Sequence, residues 1–269
     1  MIRTPAVAGR FYPADPQELK KMVAGFLPSP PLEDPGQVIA LMAPHAGLVY
    51  SGRVAGATYG RVAVPARAVL LGPNHTGAGA ALSLWDGGDW EMPGGVAEVD
   101  RDLCSSLRRF CPRLSADRTA HLREHCLEVQ IPFLQARQAR IRIAPIVVGT
   151  SRLGELRDLG LGIAGAVRES REAVLIVVSS DMTHHEPAAV AAVKDRMALE
   201  KMECLDAEGL HRVVGEEDIS MCGVAPAVAG LVAARELGAR AGKVILYSHS
   251  GEVSGDNDSV VGYAGMVFS

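Results

Sequence analysis

Several features are absent from this chain, and each absence closes off a class of function. No apolar run approaches the ~18–20 residues needed to span a bilayer; AVLIVV and VIALMA are the longest kind present, so no membrane role is expected. No stretch is dense in Lys or Arg, and the formal net charge of −4 leaves no basic footprint for nucleic acid. The opening MIRTPAVAGRFYPADP lacks the apolar core of a secretory signal, which makes the cytoplasm the expected compartment. Cysteine is scarce and unpaired: Cys104, Cys111, Cys126, Cys204 and Cys222 are an odd set with no CxxC spacing. That argues against a disulfide framework and against a structural zinc site built from local pairs. Phosphate-cradling motifs and the G-x-S-x-G nucleophile elbow are missing as well. Neither an internal repeat nor a linker interrupts the chain, so residues 1–269 are expected to form one domain.

What is present is an ordinary globular composition, 48% hydrophobic and 22% charged over 269 residues, enough to bury a large core. Short continuous apolar runs at 38–44, 68–73, 142–149 and 173–180 read as strands covered on both faces. Helical patterns lie between them at 51–62, 100–110, 123–138 and 153–170. This alternation predicts an α/β fold with a mostly parallel central sheet flanked by helices. A long helix is expected over 188–207 and another from about Gly223 to Leu237, with a terminal strand pair at the C-terminal end. The glycine-rich stretch 77–95 reads as a hairpin excursion.

The polar residues fall where such a sheet would use them. His45, His75, the His184–His185 pair and His249 each sit at or just past the end of a predicted strand. In open α/β sheets ligands bind in the crevice outside the carboxyl ends of the strands. Parallel neighbours would bring several imidazoles together there, and neutral imidazole is the commonest metal ligand. A single strand-end histidine is ordinarily a loop residue bonded to backbone; recurrence at equivalent places favours a shared site. Asp181, between strand and histidines, fits a partner fixing a histidine tautomer, a general base or a turn cap. Cys222 falls at a predicted helix start, where the dipole favours thiolate, although a small buried thiol is an equally ordinary use. Glu124 and Glu128 are spaced for one helical face, with His125 about 100° away and at least one acid expected at the surface.

The motifs VAGRFYPADPQEL, APHAGLVYSG, LGPNHTG, EHCLEVQIPFL, VSSDMTHH, MCGVAP and SGDNDSVVGYAGMVF together resemble the Memo family, component B of AmmeMemoRadiSam systems. The resemblance runs from about Ala6 to the C-terminus. It implies a fold similar to class III extradiol dioxygenases, in which two histidines and a glutamate hold Fe(II). In the Memo pattern a cysteine stands near the place of that carboxylate. The implied pocket positions are His45, His75, His184 and Cys222, with His184 preferred over His185. His249 matches no pocket position. Phe11 stands where eukaryotic members carry a tryptophan associated with phosphotyrosine-peptide binding, so that role is not carried over.

The expectation is therefore a metal-dependent oxidoreductase: His45, His75 and Cys222 hold Fe(II) or copper, and His184, with Asp181, does acid/base work. A thiolate is softer than a carboxylate and suits copper. This leaves a second reading, a non-enzymatic metal-binding or adaptor protein that takes a small molecule or partner peptide in the same crevice. Radical-SAM and AMMECR-type proteins are the partners that the resemblance implies. A metal-free hydrolase using Cys222 and His184 ranks last.

Overall fold

A computed structural model describes residues 2–28 and 38–269. In chain order the elements are α1 (Pro16–Phe26), β1 (Ala40–Ala43), α2 (Leu48–Tyr59), β2 (Arg67–Pro73), β3 (Leu82–Leu84), β4 (Trp90–Met92), β5 (Gly95–Val99), α3 (Arg101–Phe110), β6 (Ser115–Ala116) and α4 (Ile131–Arg137). There follow β7 (Arg142–Val148), α5 (Leu153–Glu169), β8 (Val174–Ser179), β9 (His184–Glu186), α6 (Ala188–Glu203), α7 (Ala207–Glu216), α8 (Val224–Glu236), β10 (Gly242–His249), α9 (Gly251–Ser254) and β11 (Val260–Phe268).

The main sheet runs β10-β11-β1-β8-β2-β7-β3-β6. Its centre, β1-β8-β2-β7, is parallel, with Ala40 opposite Ile176, Arg67 opposite Val174 and Arg67 opposite Arg142. These are the four apolar runs read from the sequence, and helices explain why they do not alternate. The α8 helix packs across all four central strands, with α5 and α7 against it, while α2 lies on β1, β10 and β11 beside α1 and α4. Leu70, Leu71, Ile176 and Val177 are sealed from water, each worth roughly 1.5–3 kcal/mol of transfer free energy. Antiparallel strands close both flanks: β11 pairs with β1 and β10, and β3 pairs with β7. The glycine-rich excursion holds β3 and β4 and ends where β5 begins; β4 and β5 pair as a hairpin.

Two predicted helices differ. The pattern at 123–138 becomes a short 3₁₀ turn at Glu128–Gln130 followed by α4, because Glu124 and Glu128 turn inward instead of lining a surface face. The pattern at 188–207 stops at Glu203; Leu205 takes φ 54°, and the chain restarts as α7 behind an Asp206 cap on the Gly209 amide. No described helix is long and apolar enough to cross a membrane.

Candidate metal centre

Because β1, β2 and β8 are parallel, their carboxyl ends open on one edge of the sheet. The chain leaves β1 through Pro44 and presents His45 just before α2 begins. Asp181, beyond the end of neighbouring β8, secures this turn: its Oδ1 accepts the His45 amide at 2.7 Å and the Ala46 amide at 3.3 Å. Beyond β2, Asn74 Oδ1 accepts the Thr76 and Gly77 amides at 3.2 and 2.9 Å, and Gly77 takes φ 66°. This tight turn holds out His75. Its amide donates to Glu124 Oε2 at 2.7 Å, and Nδ1 lies 2.9 Å from Glu124 Oε1.

The third imidazole is His125, which strand-end reasoning left without a role. Its segment settles against β2 because Gly72 has no side chain; a Cβ there would stand 2.4 Å from Cys126 Sγ. Ring centroids are separated by 5.2 Å for His45–His75, 5.4 Å for His45–His125 and 4.7 Å for His75–His125. One ring nitrogen from each of these three lies within 4.8 Å of the others. The side chains of Glu124 and Glu128 are buried (2% and 0% exposed), which corrects the expectation of a surface acid. His125 does not turn away from Glu124 either, since Nδ1 is 3.2 Å from its Oε1.

The hydrogen-bond partners assign the tautomers. Ser179 Oγ spends its one proton on the Cys126 carbonyl at 2.7 Å, so at 2.8 Å from His45 Nδ1 it acts as the acceptor. His45 therefore carries its proton on Nδ1 and keeps a lone pair on Nε2. Glu124, an acceptor only, imposes the same choice on His75, and its Oε1 also stands 3.2 Å from His125 Nδ1. Burial pushes the Glu124 carboxyl up, but donors from His125, His75 and the Cys126 amide outweigh it and hold the group well below the usual carboxylate range. Burial holds His45 down at about 4, with His125 and His75 adding to it against the pull of Asp181. Burial also works against protonation of His75, yet its hydrogen bond and charge contact with Glu124 leave it raised.

Cys222 reaches this cluster through a second glycine. A Cβ on Gly223, just ahead of α8, would stand 2.4 Å from Ser180 Cβ, so only glycine lets this loop close on the end of β8. Cys222 Sγ sits 3.2 Å from His45 Nε2 and 3.3 Å from the Asp181 amide, which donates to it. The helix start does not make it a thiolate. Burial, and after it the Asp181 carboxylate, push the thiol well up from its ordinary value. A helix dipole is worth only ~0.3–1 kcal/mol in most settings and is outweighed here. The protein alone thus holds a thiol donating to His45 Nε2.

The other candidate histidines fall outside the group formed by the three rings. His184 lies in β9, paired opposite Val261, with its amide on Ser220 Oγ at 2.7 Å and Nδ1 on the Ser220 carbonyl at 2.9 Å. It is half-buried and falls outside the group of ring nitrogens within 4.8 Å. His185 is exposed with φ 60°. His249 ends β10 opposite Gly262, and its buried Nδ1 finds no hydrogen-bond partner among the described residues. Asp181 is buried with one carboxylate oxygen committed to backbone amides, a positioning contact.

The residues fit a metal ion. His45 and His75 have Nδ1 committed to fixed acceptors, His125 Nδ1 lies 3.2 Å from Glu124, and a thiol stands beside His45 Nε2. A tetrahedral ion with ~2.0–2.1 Å bonds to nitrogen holds such ligands about 3.4 Å apart, a separation that small ring movements reach from 4.8 Å. A second cluster, His75, Glu124 and Cys126, is less suited. There Cys126 is a buried thiol donating to the Pro73 carbonyl, and Glu124 is already spent on the histidines.

Comparison with known proteins agrees with the motifs. The family model described as Memo-like protein matches residues 3–267. A MEMO1 family protein of Aquifex aeolicus (strain VF5) is 44% identical, covering 99% of both chains. One from Methanopyrus kandleri is 41% identical over 100% of this chain and 99% of its own length, and one from Methanothermobacter thermautotrophicus is 37% identical over 98% and 99%. With imidazole cluster, thiol and sheet edge in hand, the family match across nearly the whole length shows that this chain belongs to the Memo-like protein family.

Proposed function

We propose that this protein binds a redox-active transition-metal ion, iron or copper, through the Nε2 atoms of His45, His75 and His125, with Cys222 as the neighbouring sulfur donor. The observation that supports it best is the commitment of the His45 and His75 Nδ1 atoms to fixed acceptors, Ser179 Oγ and Glu124 Oε1, with His125 Nδ1 3.2 Å from the same carboxylate. Metal-binding histidines characteristically have their second nitrogen held in this way. Once bound, such an ion would supply Lewis acidity and one-electron redox chemistry. The protein's own part is to orient the rings and to keep His45 unprotonated. His184 donates Nδ1–H to the Ser220 carbonyl and so keeps a basic Nε2; we assign it proton transfer at the edge of the site. Asp181 acts by holding the His45 turn.

A second reading, metal holding without turnover, is favoured by one specific observation. Glu124 is fully engaged with imidazoles and backbone amides, so the donor set is imidazole and thiol, not two histidines and a carboxylate. Such a set suits Cu(I) better than the Fe(II) of oxygenases. Anaerobic reconstitution with Fe(II) and with Cu(I), metal quantification and O₂ uptake across a catechol panel separate the two. Stoichiometric Fe(II) with O₂ consumption supports the oxygenase reading; tight Cu(I) without turnover supports the holding one. If neither metal binds, and His45→Ala changes nothing, both readings fall.

A further inference from the structure

We infer that Gln130 is a positioning residue for the candidate metal centre. By bonding both the residue before His45 and the Ser179 hydroxyl, it keeps the His45 proton on Nδ1 and leaves Nε2 open to an ion. The inference rests on the metal reading only for the use of that open nitrogen; which nitrogen carries the proton is decided in the metal-free protein. Gln130 ends the 3₁₀ turn ahead of α4 and is buried, outside the imidazole cluster itself. Its amide nitrogen donates to the Pro44 carbonyl at 2.9 Å, with the Ala43 carbonyl at 3.4 Å, and to Ser179 Oγ at 2.9 Å. Its amide oxygen accepts from the Tyr59 hydroxyl at 3.0 Å. Tyr59, the last residue of α2, is in turn stacked on Phe133 of α4, ring centroids 5.4 Å apart. One side chain thus joins the ends of β1, β8 and α2 to the turn before α4.

A side-chain amide suits this place because it offers two N–H donors and an acceptor without a charge. Its orientation is fixed, since turning it over would set its oxygen against two carbonyl oxygens. Burying such a group is costly unless its bonds are made, and here both ends are bonded. The proton chain through His45 has two possible directions. In the one assigned above, Nδ1–H donates to Ser179 Oγ, whose own proton goes to the Cys126 carbonyl, and the Cys222 thiol donates to Nε2. In the reverse, Ser179 donates to Nδ1, Nε2–H donates to Cys222 Sγ, and the thiol proton turns to the Asp181 carbonyl, 3.6 Å away. The net charge is the same in both, yet the reverse closes Nε2 to an ion. The assigned direction needs Ser179 Oγ within reach of the Cys126 carbonyl and His45 Nδ1 together, at 2.7 and 2.8 Å. Gln130 supplies that placement: the nitrogen that holds Ser179 Oγ also holds the carbonyl of Pro44, the residue next to His45.

Long-range nitrogen NMR of the metal-free full chain at neutral pH, where His45 is uncharged, tests this. The unaltered chain should carry the His45 proton on Nδ1; a proton on Nε2 there overturns the inference at once. Gln130→Met keeps the length of the side chain and removes both donors. It should give a mixed tautomer at His45 while His75, held by Glu124, stays on Nδ1. Cu(I) affinity, read by chelator competition, should fall about 10–100-fold in the same variant. Ile163→Ala, a buried site in α5, controls for lost stability alone and should leave the His45 tautomer and the affinity as they are. Should Gln130→Met fail to fold, Gln130→Glu decides, since a buried carboxylic acid has one proton for two acceptors and should also mix the His45 tautomer. A single Nδ1–H tautomer with unchanged affinity in the folded Gln130 variant would overturn the assignment. So would equal mixing in Ile163→Ala, which would mark the effect as general loosening. If the unaltered chain binds neither Cu(I) nor Fe(II), the metal reading falls, and the tautomers still decide what Gln130 does.

Discussion

At the scale of single residues, Glu124 does the work that the sequence distributes among histidines. Its two oxygens meet the His75 and His125 rings and the His75, His125 and Cys126 amides. Removing the negative charge while keeping the shape leaves both imidazoles free to change tautomer. Glu124→Gln is therefore expected to lower affinity for Cu(I) or Fe(II) by about 10–100-fold, read by competition with a chelator of known strength. Long-range nitrogen NMR of the metal-free protein gives an independent check. The unaltered chain should show Nδ1–H on His45 and His125, and a mixed population on His125 in the variant. An unchanged tautomer and unchanged affinity would together remove Glu124 from this role.

At the scale of elements, the 3₁₀ turn at Glu128–Gln130 ties the N-terminal strap to the site. Glu128 accepts from Arg3 Nη1 at 2.6 Å, the Ala6 amide at 2.8 Å, the Val7 amide at 3.0 Å and the Tyr12 hydroxyl at 2.6 Å. The strap then lays Phe11 edge-on against His125, ring centroids 4.8 Å apart. Breaking a buried ion pair by removing one partner costs about 3–5 kcal/mol, because the stranded charge stays buried. Glu128→Gln should therefore loosen the strap. Hydrogen exchange at the Ala6 and Val7 amides should accelerate by orders of magnitude and limited proteolysis should begin ahead of α1. Unchanged protection at those two amides would show that the strap is held by its apolar contacts instead.

At the scale of the whole molecule, the stability of the fold against acid rests partly on histidines buried as neutral rings. His121, whose carbonyl accepts the Glu124 amide at 3.3 Å, is held down at about 4 by burial, opposed by its contact with the Ser83 carbonyl. An unfolded histidine titrates near 6.5, so between those values the unfolded chain binds the extra proton and stability falls as pH falls. A gap of about 2.5 units corresponds to ~3 kcal/mol once the pH is below both values. His45 adds a second loss of the same sign, whereas the raised His75 works the other way only above 6.5, gaining stability as pH falls through its raised folded value and contributing no further change below 6.5. Urea unfolding of the metal-free protein from pH 7 to pH 5 should show declining stability, and His121→Asn should reduce the slope. A profile with the same slope in the variant would contradict this account of His121.

How much of this was legible follows from where the information resides. The central strands were readable because a strand covered on both faces must be apolar throughout, and the switch to polar residues at its end marks the sheet edge. Hence His45, His75 and Asp181 could be selected from local pattern alone. His125 could not, because its position depends on Gly72 admitting Cys126 against β2 and on Glu124 facing inward. The 123–138 pattern reads as helix for the same reason: spacing does not reveal that both acids have partners more than 40 residues away, His75 for Glu124 and the N-terminal strap for Glu128. The helix-start rule likewise suggested a reactive thiolate at Cys222, while burial against His45 and Asp181 keeps the thiol protonated. The sequence by itself determined the sheet, its parallel centre, the family and the edge on which chemistry gathers, since these follow from short-range hydrophobic pattern and motif order. Only the tertiary structure decided which imidazoles meet and which nitrogen each leaves open, because long-range packing and hydrogen bonding settle both.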